Sequence, residues 1–598
     1  MDAAEIFSLQ SSETAFRVRK FAQGDPFGAF AAEIVVSDAL RLLKKPLIKR
    51  VFERKRRVLL PTSRSLMRRV SVLFVASLLT ANPVFRKRAV LEIKAVTRFS
   101  DWNPSHFLDV AEMAAAVSLG RVWFAGDMTA LERAAVDEAL AAFAIRPGRE
   151  QFSRSEFWVD AHQNWNIVCC SGLILACTVA HGVPEQERNE LLELASSAIR
   201  SGFSGFRPDG GYLEGPSYWE LALRYSVLAT LFQPSIELPE GVLKSWKFSK
   251  SLTCPSGVSV NYGDSTLRPK RSPFLGWLAL KSGDADAAEW QRSAPGRPHP
   301  FDLVWPGPVV KATTCKTSHV VDFEDIGTVI RSSSKALPNA FVFLKRGSNS
   351  VNHAHLDLGS VLFEFGGQTF LCDLGREDYS REGYLGPDRF SYFRAKTKAH
   401  NTVSIGDADQ SKNARARSLF SYRHENYAIS AIEIESEGSG LRHRRGVLLS
   451  DDALWIRDEL VPNQASVSGS SKLAGSAVWR VFTDAKVDQH GSGARLSKED
   501  VSLECNLVLP KENQILLSSL EPAVAGSQKS GITCLHVNIE LISEVTSIVV
   551  CFRRNLKKTE QELFALKEIT EWSNSEKLFV AHETGDSKRK GDKIARAS

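Results

Sequence analysis

At 598 residues the chain is too long for one core and divides into two or three domains. Hydrophobic residues make up 43% and charged residues 24%, the balance of an ordinary soluble globular protein. A net charge of +7 is mild for this length, so attraction of the whole molecule to nucleic acid is excluded as a theme, whereas a local basic cleft for an anionic polymer fits.

The opening residues, MDAAEIFSLQSSETAFRVRK, hold no apolar export core. The one signal-like stretch, VSVLFVASLLTA at 70–81, is internal and too short to span a bilayer. It reads as a buried helix, and no membrane insertion is expected. The basic run KKPLIKRVFERKRR at 44–57 reads as a solvated helix face, with a patch for a sulfated or anionic polymer as the sharper alternative. Nine cysteines lie at scattered positions with no CxxC pair, the pattern of buried thiols rather than a disulfide framework.

From about 30 to 292, apolar residues recur at three- and four-residue spacing: LFVASLLTANPVFRKRAVLEIKAV, FLDVAEMAAAVSLGRVWF, ALERAAVDEALAAFAI, NIVCCSGLILACTVAH, RNELLELASSAIRSGF and YWELALRYSVLATLF. Short breaks such as Asn82-Pro83 and Pro147-Gly148 join them, which predicts antiparallel helical hairpins. Arranged in a ring, these form an α/α toroid, an incomplete helical barrel, over residues 1–292. A proline-rich passage at 293–310 reads as a linker. Beyond it come short β-branched or aromatic runs, including AFVFLK, GSVLFEF, QTFLCDL, NYAISAIEI, ALWIRDEL, AVWRVF and TSIVVCF. Residues 311–583 therefore read as an antiparallel β-sandwich. The basic tail 584–598 reads as disordered.

The chemistry-bearing segment is VNHAHLDLGSVLFEFGGQTFLCDLG at 351–375, which leads into HNTV at 400–403. Read as a strand, it projects His353 and His355 on one face about 7 Å apart, followed by Asp357. Asp373 ends a second strand and His400 begins a third. Imidazoles and a carboxylate converging from three strands suit one divalent metal, zinc by donor type, with manganese or calcium as alternatives. The bland alternative is a set of hydrogen-bonded turn histidines. A second cluster is helical. HQNWN at 162–166 and DGGYLEGPSYWEL at 209–221 each open a helix, which puts Asn164 and Tyr218 at helix starts. Taken singly, Asn164 is a helix cap and Tyr218 a core aromatic.

In these segments the chain resembles the heparinase II/III-like polysaccharide lyases. The resemblance runs from RVLLPTSRSLMRRVSVLFVASLLTANPVF through SDWNPSHFLDVAEM, QNWN and GYLEGPSYW. It is strongest at NHAHLDLGSVLFEFGGQTFLCDLG and KAHNTV. It implies an α/α toroid followed by an antiparallel β-sandwich, the division reached above from periodicity. It also implies roles: Asn164 neutralising the uronate carboxylate, Tyr218 as acid/base, His353 as the catalytic histidine of the sandwich, and His355, Asp373 and His400 as metal ligands. The loop that supplies a further tyrosine in the family holds both Tyr379 and Tyr384, and either fits. Trp165 stands where several relatives carry histidine after the asparagine, so the histidine role falls to His353 alone or is shared with His162. Arg121-Val122-Trp123 replaces a Tyr-Asp-Trp of relatives. Arg207, Arg224, Arg389 and Arg394 are candidates for binding carboxylate or sulfate.

The reaction implied is β-elimination on a uronate glycan, giving unsaturated oligosaccharides. A neutral amide stabilises the enolate-like state, and a base and an acid complete the step. Either Tyr218 does both, or His353 takes the proton while Tyr218 protonates the leaving oxygen. The expected partner is an anionic polysaccharide: a glycosaminoglycan (heparan sulfate, chondroitin sulfate or hyaluronan) first, alginate or another uronan second. The family points to a periplasmic or secreted enzyme. Three other classes are weighed against this. A glycoside hydrolase needs two flanking carboxylates, for which Glu214, Asp209 and Asp160 are nearest. A glycan-binding protein without turnover would need no Asn, Tyr and His set. A metal hydrolase would act directly through the HxH site.

Overall fold

The computed structural model describes residues 9, 11–53, 55–269, 271–308, 319–424, 426–435, 440–462, 475–520, 531–542, 544–554 and 564–573. The chain forms two compact units, Met1–Lys250 with Arg268–Thr313, and Ser251–Leu267 with Thr314–Ser598.

The first unit is helical. Its main helices are α1 (Ser12–Gly24), α2 (Pro26–Lys44), α3 (Leu60–Thr80), α4 (Pro83–Thr97), α5 (Phe107–Trp123), α6 (Ala130–Leu140), α7 (Arg146–Ser153), α8 (Asn164–Val179), α9 (Glu185–Phe203) and α10 (Pro216–Phe232). Their breaks have local causes. Asp25 stops α1 and caps α2, its carboxylate accepting from the N–H groups of Phe27 and Gly28, with Pro26 at the first turn. Thr129 and Glu132 form a reciprocal capping box at α6. The packing follows the apolar patterning. Every residue of α5 except Arg121 is buried, and every residue of α8 except Trp165 and Thr178. Helices apolar all round belong inside. Accordingly α3, α5, α8 and α10 pack in succession, while α4 lies on α3 and α9 on α8. This is the two-layered arrangement of an α/α toroid. The segment at 70–81 is the buried core of α3, and no helix among the described residues is long and apolar enough to cross a membrane.

Three expectations need correction. The basic run at 44–57 is not a helix beyond Lys44: it is extended around a Glu53–Val58 bridge, and Arg50 pairs with Asp101 at 2.5 Å. Pro46 ends the helix. The passage at 293–308 is not a free linker, because Phe301–Val304 is helical and Phe301, Asp302 and Trp305 are buried in the first unit. Ser251–Leu267, read with the helices, belongs to the second unit. Its sequence SLTCPSGVSVNYGDSTL has no helical apolar period, and it forms a Thr253–Ser259 bridge instead. Residues 309–318 and the tail 584–598 lie outside the described residues.

The second unit is antiparallel β throughout its described sheets. A five-stranded sheet runs in the order β1 (His319–Phe323), β2 (Gly327–Ser332), β3 (Ala340–Lys345), β5 (Val361–Phe365), β6 (Gln368–Leu371). A nine-stranded sheet runs in the order β13 (Lys486–His490), β14 (Gly493–Lys498), β15 (Val501–Leu509), β18 (Thr546–Arg553), β11 (Ala453–Pro462), β10 (Leu441–Ser450), β9 (Tyr427–Glu435), β8 (Arg415–Arg423), β4 (Gly347–Ser348). A four-stranded sheet runs in the order β16 (Leu516–Ser519), β17 (Thr533–Glu540), β12 (Ser476–Thr483), β7 (Val403–Ile405). Strand alternation sets the core. Leu454 and Ile456 join the main cluster with Val342, Phe363 and Phe365, whereas Trp455 between them points to a second cluster closed by Trp572. The eight described cysteines are all free and buried.

Candidate active site

In the helical unit, Asn164 is the first residue of α8 and is buried. Its backbone N–H donates to Glu214 Oε1 at 2.7 Å and its carboxamide Nδ2 to Glu214 Oε2 at 2.5 Å. Tyr212 adds a third donor to Glu214 Oε1, at 2.7 Å. A carboxylate at a helix N-terminus satisfies an otherwise orphaned donor and suits the helix dipole. Gly215, at φ +90°, turns the chain from Glu214 into α10, a conformation that favours glycine. The Asn164–Glu214 pair therefore joins the starts of α8 and α10, and half-buried Tyr218 lies in the first turn of α10 at the same end.

The other residues expected around this cluster divide. Trp165 is half-buried, its ring edge-on to His106 and beside Phe157, both with centroids at 5.1 Å. His162 is exposed and bonds Ser204 Oγ at 2.9 Å through Nδ1. Arg224 is partly exposed and pairs with Glu220, one helical turn away, at 2.6 Å. Glu214 is fully engaged as an acceptor and is not poised as the free acid of a hydrolase. Asp209 caps its own turn by accepting from Gly211 N–H.

In the second unit, residues 351–360 are a loop, not a strand, and β5 begins only at Val361. His353 sits at φ +64°, a left-handed conformation rarely adopted by a residue with a side chain. The pleat argument for an HxH face therefore does not apply. What gathers the histidines is Asp264, in the Ser251–Leu267 segment. His353 Nδ1 lies 2.8 Å and Tyr379 Oη 3.0 Å from Asp264 Oδ2. Tyr384 Oη donates to Oδ1 at 2.6 Å, His355 Nε2 lies 3.2 Å from Oδ1, and the Arg389 guanidinium forms an ion pair with it at 2.7 Å. Burial works against the charge of Asp264, but hydrogen bonds from His353 and His355 and the nearby Arg389 outweigh it and hold the carboxyl well below its ordinary range. Asp264 is thus a carboxylate, and His353 Nδ1 is the donor. Burial and the Asp264 charge push the Tyr384 phenol up, so Tyr384 keeps its proton. Tyr379 is half-buried and carries the Arg376 guanidinium 3.9 Å above its ring. Arg394 is buried and donates to the carbonyls of Leu374 and Arg376, a structural role.

Among the described residues, one group of three can hold a metal: His355, Asp357 and His400, all buried, with candidate ligand atoms within 4.8 Å of one another. Asp357, not Asp373, completes it. Asp373 Oδ2 instead holds His400 Nδ1 at 2.7 Å, and its Oδ1 accepts from Gly375 N–H. Both imidazoles are anchored in the same way: His355 by Nε2 on Asp264, and His400 by Nδ1 on Asp373. Each leaves its other nitrogen, His355 Nδ1 and His400 Nε2, buried with no hydrogen-bond partner. Two orphaned imidazole nitrogens beside a carboxylate fit a divalent ion, and carboxylate anchoring of the far nitrogen is how metal-bound histidines are oriented. Burial lowers the pKa of His355, which favours the neutral ligand form. His400 is penalised by burial too, but the Asp373 charge outweighs this and raises it.

Residues 316–533 match the family described as heparinase II/III-like, C-terminal. This region is a heparinase II/III-like domain. Solved structures extend the likeness of fold across both units. A heparan sulfate lyase HepC mutant from Pedobacter heparinus is 14% identical, covering 82% of this chain and 76% of that one, at a TM-score of 0.57. A heparinase III structure is 14% identical, covering 81% and 75%, at 0.58. A second heparinase III is 12% identical, covering 92% and 94%, at 0.57. No curated protein matches the chain. The heparinase II/III-like domain contains every residue of the histidine and tyrosine cluster except Asp264, which precedes it in sequence.

Proposed function

We propose that this heparinase II/III-like chain is a polysaccharide lyase that cleaves uronate-containing glycans by β-elimination. The observation that carries the reading is the imidazole of His353, fixed through Nδ1 on the Asp264 carboxylate beside the Tyr379 hydroxyl. A neutral imidazole that donates from Nδ1 is basic at Nε2. His353 then takes the proton alpha to the uronate carboxylate. The C–H electron pair forms the new C=C bond, and the glycosidic C–O bond breaks. The Tyr218 phenol gives its proton to the leaving oxygen. The Asn164 carboxamide, held in one orientation by Glu214, stabilises the enolate-like charge on the substrate carboxylate. Tyr379, rather than fully engaged Tyr384, is the further tyrosine of the reaction.

His355, Asp357 and His400 would hold the divalent ion, zinc by donor type. When bound, it supplies positive charge and fixes the loops that carry the reacting residues. The similar structures include a heparan sulfate lyase, which makes heparan sulfate the first glycan to test, followed by chondroitin sulfate, hyaluronan and alginate. Arg376 is a cation beside Tyr379 suited to carboxylate or sulfate.

The test is ultraviolet absorbance during incubation with this panel, using wild type and Tyr218→Phe. A rising unsaturated-uronate signal that Tyr218→Phe removes supports the lyase. New reducing ends without that absorbance would replace it with a hydrolase, and binding without any product would replace it with a glycan-binding protein.

A further inference from the structure

The turn Gly263–Asp264 touches three alternate residues of the loop at 353–357. Asp264 N–H donates to the His353 carbonyl at 3.0 Å, while the Asp264 carboxylate takes His353 Nδ1 at 2.8 Å. This pair of bonds clamps the left-handed residue by backbone and side chain together. The other carboxylate oxygen meets His355 Nε2 at 3.2 Å. Gly263 N–H donates to Asp357 Oδ2 at 3.3 Å. Gly263 itself is at φ +55°, and a Cβ there would lie 2.7 Å from the His353 carbonyl oxygen, so the close approach requires glycine. One carboxylate thus divides its oxygens: Oδ2 serves His353 and Tyr379, and Oδ1 serves His355, Tyr384 and Arg389.

We propose that Asp264 is a positioning residue that couples metal occupancy at His355, Asp357 and His400 to the orientation of His353. The inference rests on the reading of His353 as the proton acceptor. His355 Nδ1 is the nitrogen that would take the ion; with that ring held, its Nε2 restrains Oδ1, and the rigid carboxylate carries the restraint through Oδ2 to His353. Left-handed backbone at a reacting residue persists only where its surroundings hold it, and Asp264 provides both holds.

Two readouts test this. The first is steady-state kinetics of Asp264→Asn, with Asp264→Ala beside it. Losing charge-assisted bonds to a reacting imidazole is expected to lower kcat on the order of 10–100-fold with little change in KM. Added formate is expected to restore part of the rate in the alanine variant by refilling the carboxylate position. An unchanged kcat in both variants overturns the proposal. The second readout needs no activity: the C2 hydrogen exchange rate of His353, measured by mass spectrometry on metal-stripped protein with and without added zinc, manganese or calcium. The expected result is a metal-dependent change in wild type that is absent in Asp264→Asn. No binding of any of the three ions, a wild-type His353 rate indifferent to bound metal, or an equal response in the variant each overturns it. The wild-type comparison decides the matter even if the variants fail to fold. If wild type gives no unsaturated product, the lyase reading fails, while the exchange measurement still judges the coupling.

Discussion

Glu214 holds Asn164 by two hydrogen bonds, one to its backbone N–H at 2.7 Å and one to its carboxamide at 2.5 Å. The same carboxylate therefore caps α8 and aims a side chain. Glu214→Ala removes both functions at once. Leaving buried donors unmet costs about 1–3 kcal/mol each, so a lower thermal midpoint accompanies the loss of activity. Asn164→Ala removes one bond to Glu214 and keeps the backbone bond that caps the helix. The expected order is a rate loss on the order of 10–100-fold for both variants, with the smaller midpoint change in Asn164→Ala and the larger in Glu214→Ala. Initial rates and calorimetry on the two variants check it. Equal midpoints would show that Glu214 does not cap the helix.

The metal group makes a prediction that separates ligand from support. Asp357→Ala removes a ligand and is expected to abolish stoichiometric metal. Asp373→Asn leaves the ligands and weakens only the anchor of His400 Nδ1, for which a loss of about 10–100-fold in affinity is expected. Elemental analysis after dialysis against graded chelator distinguishes them. Retention of metal by Asp357→Ala with loss in Asp373→Asn would return the ligand role to Asp373.

The sequence alone reveals the elements more readily than the site. Apolar spacing marks α3, α5, α8 and α10 because inner helices must be apolar, and runs such as ALWIRDEL mark strands because both faces of the nine-stranded sheet are covered. His353, His355, Asp357 and His400 are visible as a cluster of ligating residue types. Their geometry is not: NHAHLDLG alternates like a strand, yet Gly359 and a left-handed His353 make it a loop. Asp264 is not legible in the sequence, for a physical reason. NYGDS is an unremarkable polar turn, and its role arises from contact with a histidine 89 residues away. The one local signal is Gly263 before an acid, in a segment with no helical apolar period.

Tyr379 and Tyr384 both donate to Asp264, but from different settings. Tyr384 is fully buried and its hydroxyl also meets His355 Nε2 at 3.1 Å. Tyr379 is half-buried and stacks parallel to His353. Tyr379→Phe is therefore expected to lower kcat with only a small fall in thermal midpoint, because water can replace its bond to Asp264 in the half-buried setting. Tyr384→Phe leaves Asp264 one donor short in a buried site and is expected to cost about 1–2 kcal/mol of stability, read as a lower midpoint. The reverse pattern would exchange their roles.

Arg445 and Asp458 tie the large sheet to the loops of the metal group. The Arg445 guanidinium meets both Asp458 oxygens, at 2.6 and 2.9 Å, and its remaining nitrogen donates to the carbonyls of Gly359 and Asn401, each at 2.6 Å. Burial opposes the charge of Asp458, but Arg445 and His443 outweigh it and lower its pKa. A carboxyl depressed in the folded state contributes stability that is complete above its unfolded pKa of about 3.9 and fades as pH falls through the folded value. Arg445→Met removes the larger of these two compensations and leaves only His443 against burial. The Asp458 pKa then rises relative to wild type, so the variant is penalised wherever the carboxyl must be ionised. The expected cost is about 3–5 kcal/mol at neutral pH, because one partner of a buried pair is removed. The gap to wild type should narrow as pH drops toward 4. Thermal midpoints of both proteins at pH 7, 5 and 4 measure it. A gap that stays constant across that range would mean the loss comes from the Gly359 and Asn401 carbonyls that the guanidinium no longer meets, with no contribution from the Asp458 charge.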